Sequence, residues 1–315
     1  MFKVACIGEM LIDFICSDID VDLENGENFT KKAGGAPANV AIAISKLGGE
    51  SFFIGKVGDD PFGKFLINKI KKNGVDISLV SIDKKNRTTL AFVSLQKNGE
   101  RDFIFNRGAD ENLKFSDINL ENLKDAGIIH FGSATALLGG KLKKSYDSTL
   151  KYVKENGNFI SFDPNYRVDL WKDRIEEFIE KSIEYVKYSD FVKVSEEELF
   201  LLTKKTKKEE AVKKLHYLGA KIVAVTLGKN GTLISNGKES KIVSSIKVKS
   251  IDSTGAGDAF IGAVLYKISK LEKIEEINNM ETLEEIVNFG NKVGAITCTK
   301  YGAMDALPTL EEVEG

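Results

Sequence analysis

The stretch AGIIHFGSATALLGGKLKKSYDSTLKYVKENGNFISFDPN, Ala126 to Asn165, decides the fold of this 315-residue chain. It opens on AGIIHFGS (126–133) and closes on NFISFDPN (158–165), two short and nearly continuous apolar runs. An alternating run marks a strand with one wet face. A continuous run marks a strand covered on both faces, the situation of a parallel sheet. Between them GKLKKSYDSTLKYVKENG (140–157) has helical spacing and stops at a glycine, the residue that tolerates a left-handed helix end. Strand, helix, strand is the repeating unit of a doubly wound α/β sheet. The same alternation runs outward in both directions. Strands are expected at FKVACIG (2–8), SFFIGKVG (51–58), DFVKVS (190–195) and KIVAVTLG (221–228), and helices at PANVAIAISKLG (37–48), PFGKFLINKIKKNG (61–74) and KEEAVKKLHYLG (208–219). The expected fold is therefore α/β, a doubly wound and mainly parallel sheet flanked by helices, with ligands beyond the carboxyl ends of the strands.

Two segments break this rhythm. RTTLAFVSLQKNGERDFIFNRGAD (87–110) holds two alternating runs joined by Asn98-Gly99, a type I′ hairpin signal. DFICSDIDVDLENGENFTKKAGG (13–35) is strand-like and interrupted by turns. Together they are expected to form a small β-sheet lid, about 14–33 and 87–110, inserted in one domain that spans 1–315. A plain surface hairpin is the alternative.

Composition narrows the function. Lys plus Arg is 45 and Asp plus Glu is 47, so the net charge of −2 gives no reason to expect nucleic acid as a partner. Three cysteines (Cys6, Cys16, Cys298) and two histidines (His130, His216) form neither a disulfide framework nor a zinc pattern. The apolar N-terminus is interrupted by Lys3, Glu9 and Asp13, and no run reaches the ~18 apolar residues of a membrane span. A cytoplasmic protein is expected.

Chemistry concentrates in a few motifs. In STGAGDAF (253–260), Asp258, Ile261, Gly262 and Leu265 share one helical face. That face is apolar, so Asp258 points inward, where a carboxylate needs a partner. Gly255, Ala256 and Gly257 place almost bare N–H groups at a helix N-terminus, where partial positive charge favours an anion. An inward acid beside an anion cradle suits phosphoryl transfer to an alcohol. A flexible turn with a capping acid is the plain alternative. In AGGAPANVA (33–41), Gly34 and Gly35 allow tight backbone and Asn39 faces inward from the first turn. Its amide fits a sugar hydroxyl or ties down neighbouring backbone. GEMLIDF (8–14) places Asp13 at the end of the first strand, and FDPNYR (162–167) ends another with Asp163, Asn165 and Arg167. TLGKNG (226–231) is a strand-to-turn glycine pair, and KVSEEEL (193–199) offers Glu198 near a strand end. No GxxxxGK[ST] and no HRD or DFG set occurs, which excludes two common ATP-binding designs.

GEMLIDF, GGAPANVA and DSTGAGDAF, in this order, resemble the ribokinase-like (PfkB) carbohydrate kinases over Val4 to about Pro308. ERDFIFNRGAD (100–110), FDPNYRVDLW (162–171) and GAITCTKYGAMDALP (294–308) are most similar to fructokinases. The resemblance implies an ATP-dependent kinase that phosphorylates D-fructose at the 6-hydroxyl. It makes Asp258 the catalytic base and Gly255, Ala256 and Gly257 the anion hole. It makes Asp13, Gly34, Gly35 and Asn39 sugar contacts, with Arg107 a candidate from the lid and Arg167 close to the transferred phosphate. Lys193, Thr226, Gly228, Gly231 and Asn291, with Gly257, fall on the nucleotide side. Asp252 and Thr254 match a potassium loop, and Glu198 an acid that supports magnesium through water. Many relatives carry Asn-x-x-Glu where this chain has Ser195-Glu196-Glu197-Glu198. A homodimer through the lid is also implied. 2-Keto-3-deoxygluconate and ribose are the rival substrates. A non-catalytic sugar sensor is the rival of another class, although such proteins commonly lose the acid that Asp258 preserves.

Overall fold

The computed structural model describes residues 1–95 and 101–315. The first strand, β1 (Lys3–Ile7), is followed by β2 (Leu11–Cys16) and β3 (Phe29–Gly34). Then come β4 (Ser51–Gly58), β5 (Val80–Asp83), β6 (Leu90–Leu95), β7 (Arg101–Asn106), β8 (Ala126–Phe131), β9 (Phe159–Phe162) and β10 (Phe191–Ser195). β11 (Ile222–Thr226), β12 (Thr232–Ser235) and β13 (Ser240–Val243) complete the series. The main sheet runs β13-β12-β11-β10-β9-β8-β1-β4-β5. β5, β4, β1, β8, β9, β10 and β11 pair in parallel across it, while β12 and β13 form an antiparallel edge. Each apolar run singled out in the sequence is one of its parallel strands.

Side chains of these strands enter two buried layers in alternation. Val4 and Cys6 join the layer under helices Ala36–Lys46, Ala256–Ser269 and Met280–Thr297. Ala5 and Ile7 join the layer under helices Gly140–Glu155, Ile175–Val186, Glu196–Thr203 and Lys208–Leu218. Each fully buried Val, Ile or Phe in these layers contributes roughly 1.5–3 kcal/mol of transfer free energy. The helices stop where the sequence indicates, at Gly157 (φ 72) and Gly219 (φ 124). Helix Pro61–Lys72 opens on Asp60, which accepts from the N–H groups of Phe62 and Gly63 and from Thr88, tying the helix to the approach to β6. Helices Ile175–Val186 and Met280–Thr297 and the hairpin β12–β13 add to the expected elements.

The second sheet has the order β3-β2-β6-β7. It is built from the two segments that broke the strand–helix rhythm. β6 and β7 pair antiparallel from Leu90↔Asn106 to Leu95↔Arg101, and the Asn98-Gly99 turn expected between them lies outside the described residues. One expectation needs correction. Asp13 does not end the first strand; it lies inside β2, in the second sheet. β1 ends at Ile7 because Gly8, at φ 148, redirects the chain, and a Cβ there would stand 2.5 Å from Ser133. β1 lies between β4 and β8, the switch point where successive connections diverge and leave a crevice. Both insertions leave the main sheet at carboxyl ends, after β1 and after β5, so the second sheet stands on the side where that crevice opens. No helix among the described residues is long and apolar enough to cross a membrane.

Candidate active site

Gly255 adopts a left-handed conformation (φ 76) and caps the helix that starts at Ala256. Asp258 is therefore in the first turn, 9% exposed, above the fully buried Ile261 and Leu265. Helix Ala36–Lys46 crosses this helix closely, since a Cβ on Gly262 would stand 2.6 Å from that of Ala43. The contact delivers Asn39, whose Nδ2 donates to Asp258 Oδ2 at 2.7 Å. Of the two readings of Asn39, a sugar contact or a backbone tie, the second is not what its N–H does, since that group meets the acid; its buried Oδ1 has no partner among the described residues. Burial pushes the Asp258 pKa up to about 6. The Asn39 hydrogen bond and the charges of Arg167 and Lys193 oppose that rise, while the Asp163 charge adds to it.

The backbone expected to cradle an anion is partly committed. The N–H of Ala256 donates to Ser253 O at 3.2 Å, which leaves those of Gly255 and Gly257, in the unpaired first turn, to meet a ligand. Gly257 also lies over a cation, because a Cβ there would stand 3.3 Å from Lys193 Nζ. Lys193 is itself buried and pairs with Asp163 Oδ2 at 2.8 Å. Burial pulls its pKa down, but the charges of Asp163, Glu198 and Asp258 outweigh burial and leave it raised.

Across the crevice stands Asp13. Its pKa is pushed up to about 6 by burial and by Glu9, against the pull of Arg167. Arg167 is exposed, with Nη1 donating to Tyr166 O at 3.0 Å. Its positive charge favours the ionised form of both Asp13 and Asp258. Gly34 lets the Asp13 carboxylate pack against the backbone, since a Cβ would meet Asp13 Oδ2 at 2.0 Å and push it aside. Gly35, at φ 111, caps helix Ala36–Lys46, and a Cβ there would stand 2.5 Å from the carbonyl oxygen of Glu9.

Arg107 is not a free cation. Its Nε and Nη2 donate to Asp110 Oδ2 at 3.3 and 3.1 Å. Asp110 is buried and also accepts from Thr89 and, at 3.0 Å, from Thr135. Thr135 in turn bonds Glu9, which is buried and accepts from Ser133 as well. Glu9, Asp110 and Asp163 receive no role from the sequence, although each lies in one of the motif-bearing segments. Isolated acids at strand ends carry no periodic signal; only the fold reveals which are buried and paired.

On the far side, Thr226 ends β11 with its hydroxyl on Val194 O at 3.3 Å. Gly228 (φ 57) borders open space, whereas Gly231 (φ 92) abuts the Val243 carbonyl. The Asn291 amide serves the fold: it accepts from Thr232 at 2.7 Å and donates to Val243 O at 3.0 Å. Both Glu198 oxygens accept backbone N–H groups, from Ser195 at 2.7 Å and Tyr166 at 2.8 Å. Asp252 accepts from the N–H and hydroxyl of Thr254 and from the N–H of Gly302 at 2.9 Å, joining the loop before the helix to the chain after Thr297.

The sequence matches the family described as pfkB family carbohydrate kinase over residues 1–310. It is 42% identical to fructokinase-1 of Oryza sativa subsp. japonica over 313 residues, covering 98% of this chain and 96% of that protein. Among solved structures, fructokinase from Xylella fastidiosa with bound ATP is similar at a TM-score of 0.89 and 30% identity, covering 99% of this chain and 97% of that one. Fructokinase from Vibrio cholerae O395, in a fructose-, ADP- and calcium-bound form, is similar at a TM-score of 0.86 and 33% identity, covering 100% and 98%.

Proposed function

The chain belongs to the pfkB family of carbohydrate kinases, and we propose that within it this protein is a fructokinase, transferring the γ-phosphoryl group of ATP to the 6-hydroxyl of D-fructose. The observation that carries this reading is Asp258: a buried carboxylate, aimed by Asn39, at a helix N-terminus, opposite Asp13 and within the field of Arg167. Fructokinase relatives at about 41–42% identity over nearly the whole chain support the choice of sugar.

The chain's own groups would act as follows. Asp13 accepts hydrogen bonds from sugar hydroxyls and fixes the ring. Asp258 takes the proton of the primary hydroxyl as that oxygen attacks; with a pKa of about 6 it is ionised at neutral pH yet a competent base. The N–H groups of Gly255 and Gly257, with the helix dipole and Arg167, steady the charge on the transferred group. The second sheet serves as the lid that excludes water, which would otherwise compete as acceptor.

The donor groups fit the expected cations in a limited way. Among the described residues no group of three or more acids, histidines or cysteines is arranged to hold a bare ion. Each Glu198 oxygen accepts one N–H and retains a lone pair for a metal-bound water, which fits an outer-sphere role for magnesium. Magnesium bound there would supply neutralisation of phosphate charge. Asp252 and backbone carbonyls near 297–302 offer oxygen donors to potassium beside the anion cradle.

A sugar acid would need a free cation for its carboxylate. Arg107 is neutralised by Asp110, and Glu9 and Asp13 make that side of the crevice acidic, so a neutral sugar is favoured over 2-keto-3-deoxygluconate. Exposed Ile15 and Ile104 on the second sheet support a homodimer through that sheet, to be read by sedimentation velocity, and a cytoplasmic location accords with this chemistry. ADP release measured over a panel of sugars, with and without potassium, tests the function. Fructose should give the highest kcat/KM, and faster turnover on a keto-acid sugar would overturn the substrate. Gly34→Ala should raise the fructose KM about 10- to 100-fold by displacing Asp13, the loss of hydrogen bonds to a charged group; an unchanged KM would remove Asp13 from the sugar site.

A further inference from the structure

The sequence FDPNYR follows β9 and must turn sharply to bring Arg167 over the crevice. Asp163 makes that turn. Its Oδ1 accepts the N–H of Asn165 at 3.1 Å, and Asn165 adopts φ 50, a left-handed geometry for which Asn is suited. The Asn165 amide then anchors the turn on Gly132 O at 2.8 Å. The arrangement has a consequence: Asp163 is a buried anion close to Asp258, where negative charge disfavours both an ionised base and an incoming phosphate. Lys193 meets it. From the middle of β10 its Nζ reaches Asp163 Oδ2 at 2.8 Å, directly beneath Gly257.

We propose that Asp163 and Lys193 form a positioning pair for phosphoryl transfer, in which Asp163 shapes the turn that presents Arg167 and Lys193 cancels the Asp163 charge felt by Asp258 and the anion cradle. Neither residue is assigned contact with the sugar. The proposal rests on the kinase reading above. The groups that face the pair are Asp258 and Arg167 from the crevice, Glu198 from helix Glu196–Thr203, and His130 from β8. His130 is neutral, since burial and Lys193 hold its pKa down at about 3. On Asp258 the two charges act in opposite directions, Asp163 raising its pKa and Lys193 lowering it.

Opposed signs give a test that a merely structural role would not pass. In Lys193→Met, the acidic limb of kcat/KM should move upward by about one pH unit, with activity largely recovered at pH 9. In Asp163→Asn it should move downward by a similar amount, with kcat also lowered through the loosened Arg167 turn. The double variant, which keeps the volume of both side chains without leaving an unpaired charge, should place the limb near the wild-type position. Carbon-detected NMR of the Asp258 carboxyl reports the same shifts without turnover. Wild-type turnover on sugar tests the kinase reading, and the NMR shifts test the pair independently of it. Limbs and carboxyl titrations that stay in place in both single variants overturn the proposal. So does a Lys193→Met enzyme whose only change is a higher KM for ATP, which would make Lys193 a direct phosphate contact.

Discussion

Asp258→Asn should lower kcat about 10²- to 10⁴-fold, the usual contribution of a positioned base, while the fructose KM changes little. Asn keeps the shape and can still accept from Asn39, but it cannot take a proton. In the wild type, kcat/KM should rise with pH through about 6 and level off above it, because a carboxylate serving as the proposed base must be ionised to take a proton. Asn39→Ala should shift that limb upward, since the Asn39 hydrogen bond favours the ionised acid. Asp258→Asn should also stabilise the fold at neutral pH. The folded-state pKa of Asp258 is raised from 3.8 to about 6, so the folded protein holds this proton more tightly than the unfolded chain. Stability from this group is full below pH 3.8 and is lost as pH rises to about 6. By pH 7 the ionised carboxylate weighs against the fold by about 3 kcal/mol, taking ~1.4 kcal/mol per pH unit. Asp258→Asn should therefore raise Tm at pH 7, with the gain fading at pH 3.5. A variant that keeps most of its turnover would remove Asp258 as the base.

Gly255→Val should lower kcat at least about 10²-fold, comparable to the loss of an oxyanion-hole donor. Gly255 sits at φ 76, where an L side chain costs about 1–2 kcal/mol and a β-branched one more. Its Cβ would also meet Ala303, 2.9 Å from Cβ and 3.0 Å from Cα, so the turn must move. Moving it swings the N–H groups of Gly255 and Gly257 away from the phosphoryl group, and reaction rate depends steeply on such placement. Calorimetric binding of fructose should survive, because Asp13 belongs to the other sheet. Undiminished turnover would show that these donors play no part in the transfer.

The parallel strands, the glycine stops and the inward face of Asp258 were legible in the sequence, since each follows from local periodicity. The antiparallel edge β12–β13 was missed, although Asn236-Gly237 between two apolar runs is a hairpin signal. Asp13 was placed in the wrong strand because Gly8 breaks a run that reads as continuous. The hydrogen bonds that hold Asn291 on Thr232 and Val243, and Glu198 on the N–H groups of Ser195 and Tyr166, carry no local sequence signal, because their partners come together only in the fold.

The sequence by itself determined the α/β class, the two inserted β segments and the acid at the head of the GAGD helix. These rest on spacing, and spacing sets which side chains share a face. Only the tertiary structure decided what each polar side chain does. Asn39 meets Asp258 across 219 positions of chain, Arg107 is silenced by Asp110, and Lys193 finds Asp163 from a neighbouring strand. A hydrogen bond or ion pair depends on distances of about 3 Å between groups remote in sequence, and burial, which sets the pKa of Asp258, belongs to the folded chain alone.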